Sequence, residues 1–479
     1  MKINQFCKLF AIDIRFIFRK MRLAMKKHLS LLALASFYGV AWGLAEPAQL
    51  REVEPYSWMT GDHALGDFGG ARTTLEDHGV ELFGGYTAEV WGNTTGGIKT
   101  GTVYTGLLDF GVNLDLDKLV GWEGASMSTT WLWLSGRDAS EDLAGNFFTI
   151  SNIAGFNTLR MLELWFQQNF LEDKISIRLG QLTADSEFLI SDYSGLFING
   201  TFGWPAFMYT NLPAGGPGYP MGTLGARLAV TPVEWFTFQS AVFQGNVYDQ
   251  DVNRHGFRWR LDGENGLLFL NEAQVRWNQR DEEMGLPGQF KVGGWAQTGK
   301  LADVLASTTE SGNFGFYGIL DQMLYREPSV EVPAVPGKTD GKSTVSGKGG
   351  KDFKAPVDYK KSEQGLGWFG RIAFTKEDRN FLNFYFDTGL TYRGLIPGRD
   401  DDTIGLAFAY GQIGNTAKRQ LLDEGSTGVG AEMVIELSYQ CQVTPWLIVQ
   451  PDVQYIINPG GTQDLDNALV VGGRASVTF

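Results

Sequence analysis

From residue 80 to its end the chain repeats stretches of about ten residues in which apolar side chains alternate with polar or small ones, separated by Gly, Asp, Asn and Pro. A period of two belongs to a strand, because successive side chains of extended backbone point to opposite faces. Sixteen such stretches can be counted, beginning near Val80, Val103, Gly124, Leu159, Lys174, Gly222, Val233, Gly266, Gln289, Asn313, Gly367, Phe381, Thr403, Val429, Trp446 and Ala468. In Lys174–Gly180, Ile175, Ile177 and Leu179 share one face and Ser176 and Arg178 the other; in Ala431–Cys441, Met433, Ile435, Leu437 and Tyr439 oppose Glu432, Glu436, Ser438 and Gln440. A soluble sandwich must cover its apolar faces with a second sheet, whereas a closed barrel turns them to lipid and leaves no unpaired edge. The predicted fold class is all-β: a transmembrane antiparallel β-barrel of about 16 strands over residues 80–479, the even number returning the chain to the side it left.

Connection lengths fit this reading. Thr231-Pro232 and Val443-Thr444 read as tight periplasmic turns, while residues 136–158, 182–220 and 246–265 read as long outer loops. Residues 327–364, rich in Pro, Gly and Lys, break the alternation: they form a long insertion on the short-turn side, of a composition that favours disorder. Trp122, Trp235, Trp277 and Trp446 fall near strand ends, where an interfacial aromatic girdle is expected. Residues 46–79 read as a periplasmic N-terminal segment with a short helix around Leu75–His78, capped by Thr73 or Thr74; a position inside the lumen is the alternative.

Residues 1–45 read as a signal peptide. Lys26 and Lys27 form a basic start, Leu29–Val40 a mostly apolar run, and Gly43-Leu44-Ala45 a small-residue cleavage site. That run falls short of the ~20 residues a spanning helix needs. Residues 1–24 overlengthen the leader, which points to Met21 or Met25 as the true start. The chain ends on the alternating Arg474–Phe479, which resembles the C-terminal strands read by the outer-membrane insertion machinery. Export to a Gram-negative outer membrane, and contact with its lipid, follow as expectations.

Charge removes other classes of function. The 479 residues carry 40 Lys+Arg and 54 Asp+Glu; without residues 1–45 these become 32 and 53, a net charge of −21. Nucleic acid is therefore an unsuitable partner, since phosphate binding needs concentrated base. Cys441 is alone after the leader, so no internal disulfide forms there. His63, His78 and His255 are not at metal-ligand spacing, and no Gly-x-Ser-x-Gly elbow occurs. Glu432 and Glu436, four residues apart on one strand, lie about 13 Å apart, beyond either glycosidase geometry. No enzymatic activity, cofactor or metal is expected.

Thr60-Gly61-Asp62, Gly66–Arg72, Tyr86–Asn93, Asp115–Trp122, Arg178–Gln181, Asp321–Arg326, Pro445–Asp452 and Asn458–Gly461 follow one another in an order that resembles the carbohydrate-selective porin (OprB) family, from about residue 56 to 479. The resemblance implies a sixteen-stranded outer-membrane channel passing monosaccharides such as glucose by passive diffusion, with folded-in loops narrowing the pore. The insertion at 327–364 departs from the family pattern. A sugar channel needs donors, acceptors and aromatic faces that hold the solute weakly. Strand parity offers Glu89, Glu163, Trp165, Arg178, Arg227, Arg371, Asp387, Glu432, Glu436, Asp452, Gln454 and Arg474 as pore-lining; the loop 182–220 adds Asp185, Glu187, Asn199 and Trp204. A general diffusion porin, or a secreted glycan-binding β protein, are the alternatives, and a homo-oligomer is left open.

Overall fold

Alternation sets every strand, and its consequence is visible in exposure. The computed structural model describes residues 59, 61–261, 264–280, 283, 285–302, 309–328 and 362–479, all within the unit Glu54–Phe479. The expected leader and most of the insertion at 327–364 lie outside the described residues. Sixteen strands follow in order: β1 (Val80–Thr95), β2 (Gly101–Asp115), β3 (Ala125–Gly136), β4 (Thr158–Phe170), β5 (Ile175–Leu182), β6 (Thr223–Val233), β7 (Phe236–Gln244), β8 (Leu267–Trp277), β9 (Gly288–Ala302), β10 (Thr309–Arg326), β11 (Gly365–Thr375), β12 (Leu382–Arg393), β13 (Thr403–Ile413), β14 (Ala431–Thr444), β15 (Leu447–Ile457) and β16 (Ala468–Thr478). On β14, Ile435 and Leu437 are 39% and 47% exposed on the outside while Glu432 and Glu436 are fully buried within.

Each strand pairs antiparallel with its sequence neighbour, and β1 pairs with β16 to close a barrel. Glu89 lies opposite Arg474 across that seam, and the Glu89 carboxylate accepts from Arg474 Nε at 2.7 Å. Closure removes the sheet edge, whose unpaired N–H and C=O groups would each cost several kcal/mol in hydrocarbon. The outward leucines, valines and phenylalanines meet lipid at no such cost.

One end of the barrel carries both termini of the described unit. There Ala64 N donates to Thr478 O at 2.9 Å and Phe479 N to Gly84 O at 2.9 Å. The turns expected at Thr231-Pro232 and Val443-Thr444 are found three and two residues later, at Glu234-Trp235 and Pro445-Trp446, because β6 pairs as far as Val233 with Phe236 and β14 as far as Thr444 with Leu447. Trp122, Trp235, Trp277 and Trp446 all belong to this end. The short helix is present as α1 (Ala71–Asp77), at the rim beside β1. Its cap differs from expectation: Gly70 is the N-cap, and the Asp67 carboxylate accepts from Thr73 N at 2.8 Å. A second short helix, α2 (Leu116–Val120), links β2 to β3; its Lys118 Nζ donates to Glu76 O at 3.2 Å and ties it to α1. The two ends of the insertion meet, with Arg326 paired to Gly365 and Glu327 N donating to Gln364 O at 3.0 Å.

The other end carries the long loops, 137–157, 183–222, 245–266 and 414–430, the second containing α3 (Ala206–Tyr209) and the last α4 (Asn415–Asp423). Two of them turn inward and bring the apolar core of the molecule inside the barrel. Phe148, Ile150, Phe188, Phe197, Ile198, Phe202, Phe207 and Met208 are buried there against Trp295, Tyr317, Phe369, Tyr385, Ala407, Ala409 and Val434 of the wall. Along β9–β14 much of the inner face is apolar or small and is covered by these loops.

Candidate functional site: the channel interior

Small residues on the inner face of the wall make the seats for the loops. On β13, Gly405, Ala407, Ala409 and Gly411 follow at period two. A Cβ on Gly405 would stand 2.5 Å from Leu196, one on Gly411 2.8 Å from Phe148, and one on Gly367 of β11 2.1 Å from the Tyr193 ring. Larger side chains at these positions would displace both loops, because packed interiors leave no slack for a methyl group.

Buried carboxylates then fasten the loop backbones. Glu432 accepts from Phe147 N at 2.9 Å, Phe148 N at 2.6 Å and Gly460 N at 2.6 Å. Glu436 accepts from Ile198 N at 2.6 Å and Asn199 N at 3.0 Å. Across the bore Glu272 accepts from Leu189 N at 3.1 Å and Tyr317 Oη at 2.9 Å, and Asp321 accepts from Asp192 N at 3.2 Å and Gln289 Nε2 at 2.9 Å. Arg371 donates to Leu189 O and Gly203 O at 3.1 Å and to Thr201 O at 2.9 Å, while paired with Asp387. Bonds between a charged group and a backbone amide contribute about 1.5–3 kcal/mol each, enough together to hold residues 147–150 and 189–203 in fixed positions.

A different inner surface along β4–β6 keeps partial exposure: the Arg178 and Glu187 side chains are 18% and 16% accessible, with Arg227 buried behind them. The Arg178 guanidinium lies over the Trp165 ring, 4.0 Å from its centroid. Arg178 Nη1 is 2.7 Å from Glu187 of the loop, and Arg227 pairs with the other oxygen of the same carboxylate. Gln167 Oε1 accepts from both arginines, at 2.9 and 3.0 Å. Trp165 Nε1 donates to Glu163 at 3.3 Å, and Glu163 also accepts from Thr183 N at 3.0 Å, fixing the foot of the loop. Trp165 borders a cavity of about 480 Å³ shared with Glu81, Asn113, Asp115 and Lys118 at the short-turn end. Beneath Asp192–Leu196 a second cavity, of about 740 Å³, is lined by Arg326, Glu363, Arg393 and Gln440.

All the strand candidates face the inside, but their surroundings divide them. Glu163, Trp165, Arg178, Arg227 and Glu187 come together in the cluster just described. Arg371, Asp387, Glu432, Glu436 and Gln454, with loop residue Asn199, are buried and bonded to one another or to the loops, so they stand away from open water. Glu89 and Arg474 close the seam, and Asp452 is buried beside Gln454. Trp204 is spent within its loop, donating to Gly215 O at 3.0 Å. Asp185 accepts from Tyr219 N at 2.6 Å, and burial pushes its carboxyl up to about 6. Parity found the inward face but could not separate loop anchors from exposed groups, because both are polar. Glu272, Asp321 and Lys291, which donates to Ile190 O at 2.8 Å, were missed as anchors. The signal that could have found Glu272 and Lys291 was the same parity, applied to β8 and β9.

Comparison with known proteins agrees with this architecture. Residues 99–479 match the family model "Carbohydrate-selective porin, OprB family". Porin B of Pseudomonas aeruginosa is 26% identical over 470 residues, covering 92% of this chain and 95% of that protein. The high-pH structure of Pseudomonas putida OprB superposes with a TM-score of 0.74 at 23% identity, over 89% of this chain and 100% of the other. The low-pH structure gives 0.51 at 19%, over 88% and 100%. A closed sixteen-strand barrel with lipid-compatible walls, a bore narrowed by its own loops, and a family match over most of its length together make this chain a member of the carbohydrate-selective porin, OprB family, an integral outer-membrane channel protein.

Proposed function

We propose that the channel passes monosaccharides such as glucose by passive diffusion, and that Trp165, Arg178, Arg227, Glu187 and Glu163 form the station at which a sugar is held in transit. The observation that carries this reading is the Arg178 guanidinium stacked on Trp165 beside Glu187, at an inner surface bordering a cavity. An aromatic face receives the C–H side of a pyranose, while guanidinium donors and carboxylate acceptors replace water around its hydroxyls. Each of these groups already has a protein partner, so a passing sugar exchanges bonds and does not meet bare charge. That keeps affinity low and exit fast. No covalent step or cofactor enters. The reading includes removal of the leader near Ala45 and recognition of the Phe479 strand by the insertion machinery.

Liposome swelling with glucose, larger sugars and amino acids of matched size is the test. Glucose is expected to enter faster than size alone allows. Rates that fall on one size curve for every solute would leave a general diffusion porin in its place.

A further inference from the structure

The loop between β7 and β8 stays, in its described residues, outside the bore. It returns to the rim of the wall where β4 outruns β5: Met161 N donates to His255 O at 3.1 Å, Arg254 Nη2 to Asn157 O at 2.7 Å, and Trp259 Nε1 to Gln181 Oε1 at 2.6 Å. Gly256, at a φ of +81°, lies so close to the wall that a Cβ there would stand 2.1 Å from Met161 O. Phe257 packs on outward-facing Trp131 with ring centroids 5.9 Å apart. The segment therefore has a fixed place on the barrel's outer side, at the end opposite the chain termini and thus at the outer leaflet.

Its side chains have an unusual composition for so acidic a chain. Residues 252–261 contain Arg254, His255, Arg258 and Arg260 and no acid. All four bases are exposed, as are Phe257 at 54%, Trp259 at 47%, Leu261 at 65% and nearby Trp133 at 57%. The flanking acids are Asp249 and Asp251 before this run and Asp262 and Glu264 after it, and Asp249 is engaged with the amides of Asp251 and Val252. Exposed aromatics beside guanidinium groups suit a boundary between acyl chains and phosphorylated headgroups, where rings seat in the interface and arginine forks match phosphate oxygens.

We infer that Arg254–Leu261 is a lipid seat, at which Arg254, Arg258 and His255 hold the phosphates of the outer-leaflet glycolipid while Phe257, Trp259 and Leu261 contact its acyl region. Charge complementarity and depth select this partner: the basic, aromatic strip lies on the lipid-facing side of a protein whose charge without residues 1–45 is −21.

The test uses the whole detergent-purified barrel and native mass spectrometry, with bis-phosphorylated lipid A, phosphate-free lipid A and phosphatidylethanolamine as probes. Wild-type protein is expected to retain bis-phosphorylated lipid A above the other two. R254Q/R258Q, with glucose flux and heat-modifiable migration unchanged, is expected to retain it about 30-fold less, from the attraction that two near-surface arginines lose. Inorganic phosphate at equal concentration should not displace the lipid. Equal retention by wild type and variant would overturn the proposal. So would indifference of the wild type to the lipid's phosphates, an arm that still decides if the variant does not fold. Cross-linking that finds position 258 covered by a second copy of the chain would overturn it as well.

Discussion

At the scale of single residues, the pairing of Trp165 with Arg178 has measurable consequences. Trp165→Ala removes both the stacking face and the support of the guanidinium, a loss of about 1 kcal/mol. The half-saturating glucose concentration in flux assays is expected to rise about five-fold, with little change in ion conductance; an unchanged value would place the sugar elsewhere. Asp185 makes a prediction in pH. Its carboxyl is raised from 3.8 to about 6 by burial, so the docked loop holds a proton that the free loop would release. The contribution to docking is complete below about pH 4 and is lost as pH rises through about 6. Amide exchange over residues 183–220, corrected for intrinsic rate, should accelerate across that window in wild type and stay level in Asp185→Asn.

At the scale of elements, the ties between loop and wall decide how wide the bore is. Glu436→Ala leaves the amides of Ile198 and Asn199 without their acceptor, at about 1–3 kcal/mol each. The expected outcome is a higher and noisier single-channel conductance and entry of larger sugars, while wild-type traces would show that the loop is held by its apolar packing alone. The strands that carry these ties were legible beforehand. Period two located all sixteen, with starts displaced by at most four residues, as at β10. The turns slipped because β6 and β14 step over an irregularity, at 231–232 and at 443, and resume pairing at Val233 and Thr444, and turn residues do not announce where pairing stops. The plug was not legible in the same way. Glu432 and Arg178 both read as polar residues on an inward face, yet one is wholly buried under Phe147 and Phe148 and the other keeps partial exposure over Trp165. Only the position of a loop distant in sequence distinguishes them. The run Gly405, Ala407, Ala409, Gly411 was the local trace of that loop, since a wall facing only water has no need of such small side chains.

At the scale of the whole molecule, the closed ring of strands tolerates changes at its rim that a soluble core would not. The insertion leaves and re-enters a hairpin already sealed by the Glu327 to Gln364 bond. Deleting residues 329–361 and joining Pro328 to Ser362 is expected to preserve heat-modifiable migration and glucose flux, as gels and liposome swelling would report; loss of the folded band would make the insertion part of the barrel's stability. The same view orders assembly. The loops following β3 and β5 are fastened to Arg371, Glu432 and Glu436, residues that come far later in the chain. A nascent barrel halted before β14 has Glu272, Asp321 and Arg371 in place but lacks Glu432 and Glu436, the ties that hold residues 147–148 and 198–199. Narrowing is complete only once β14 has joined, so cells expressing a product truncated before that strand should take up dyes and antibiotics that the finished channel turns away.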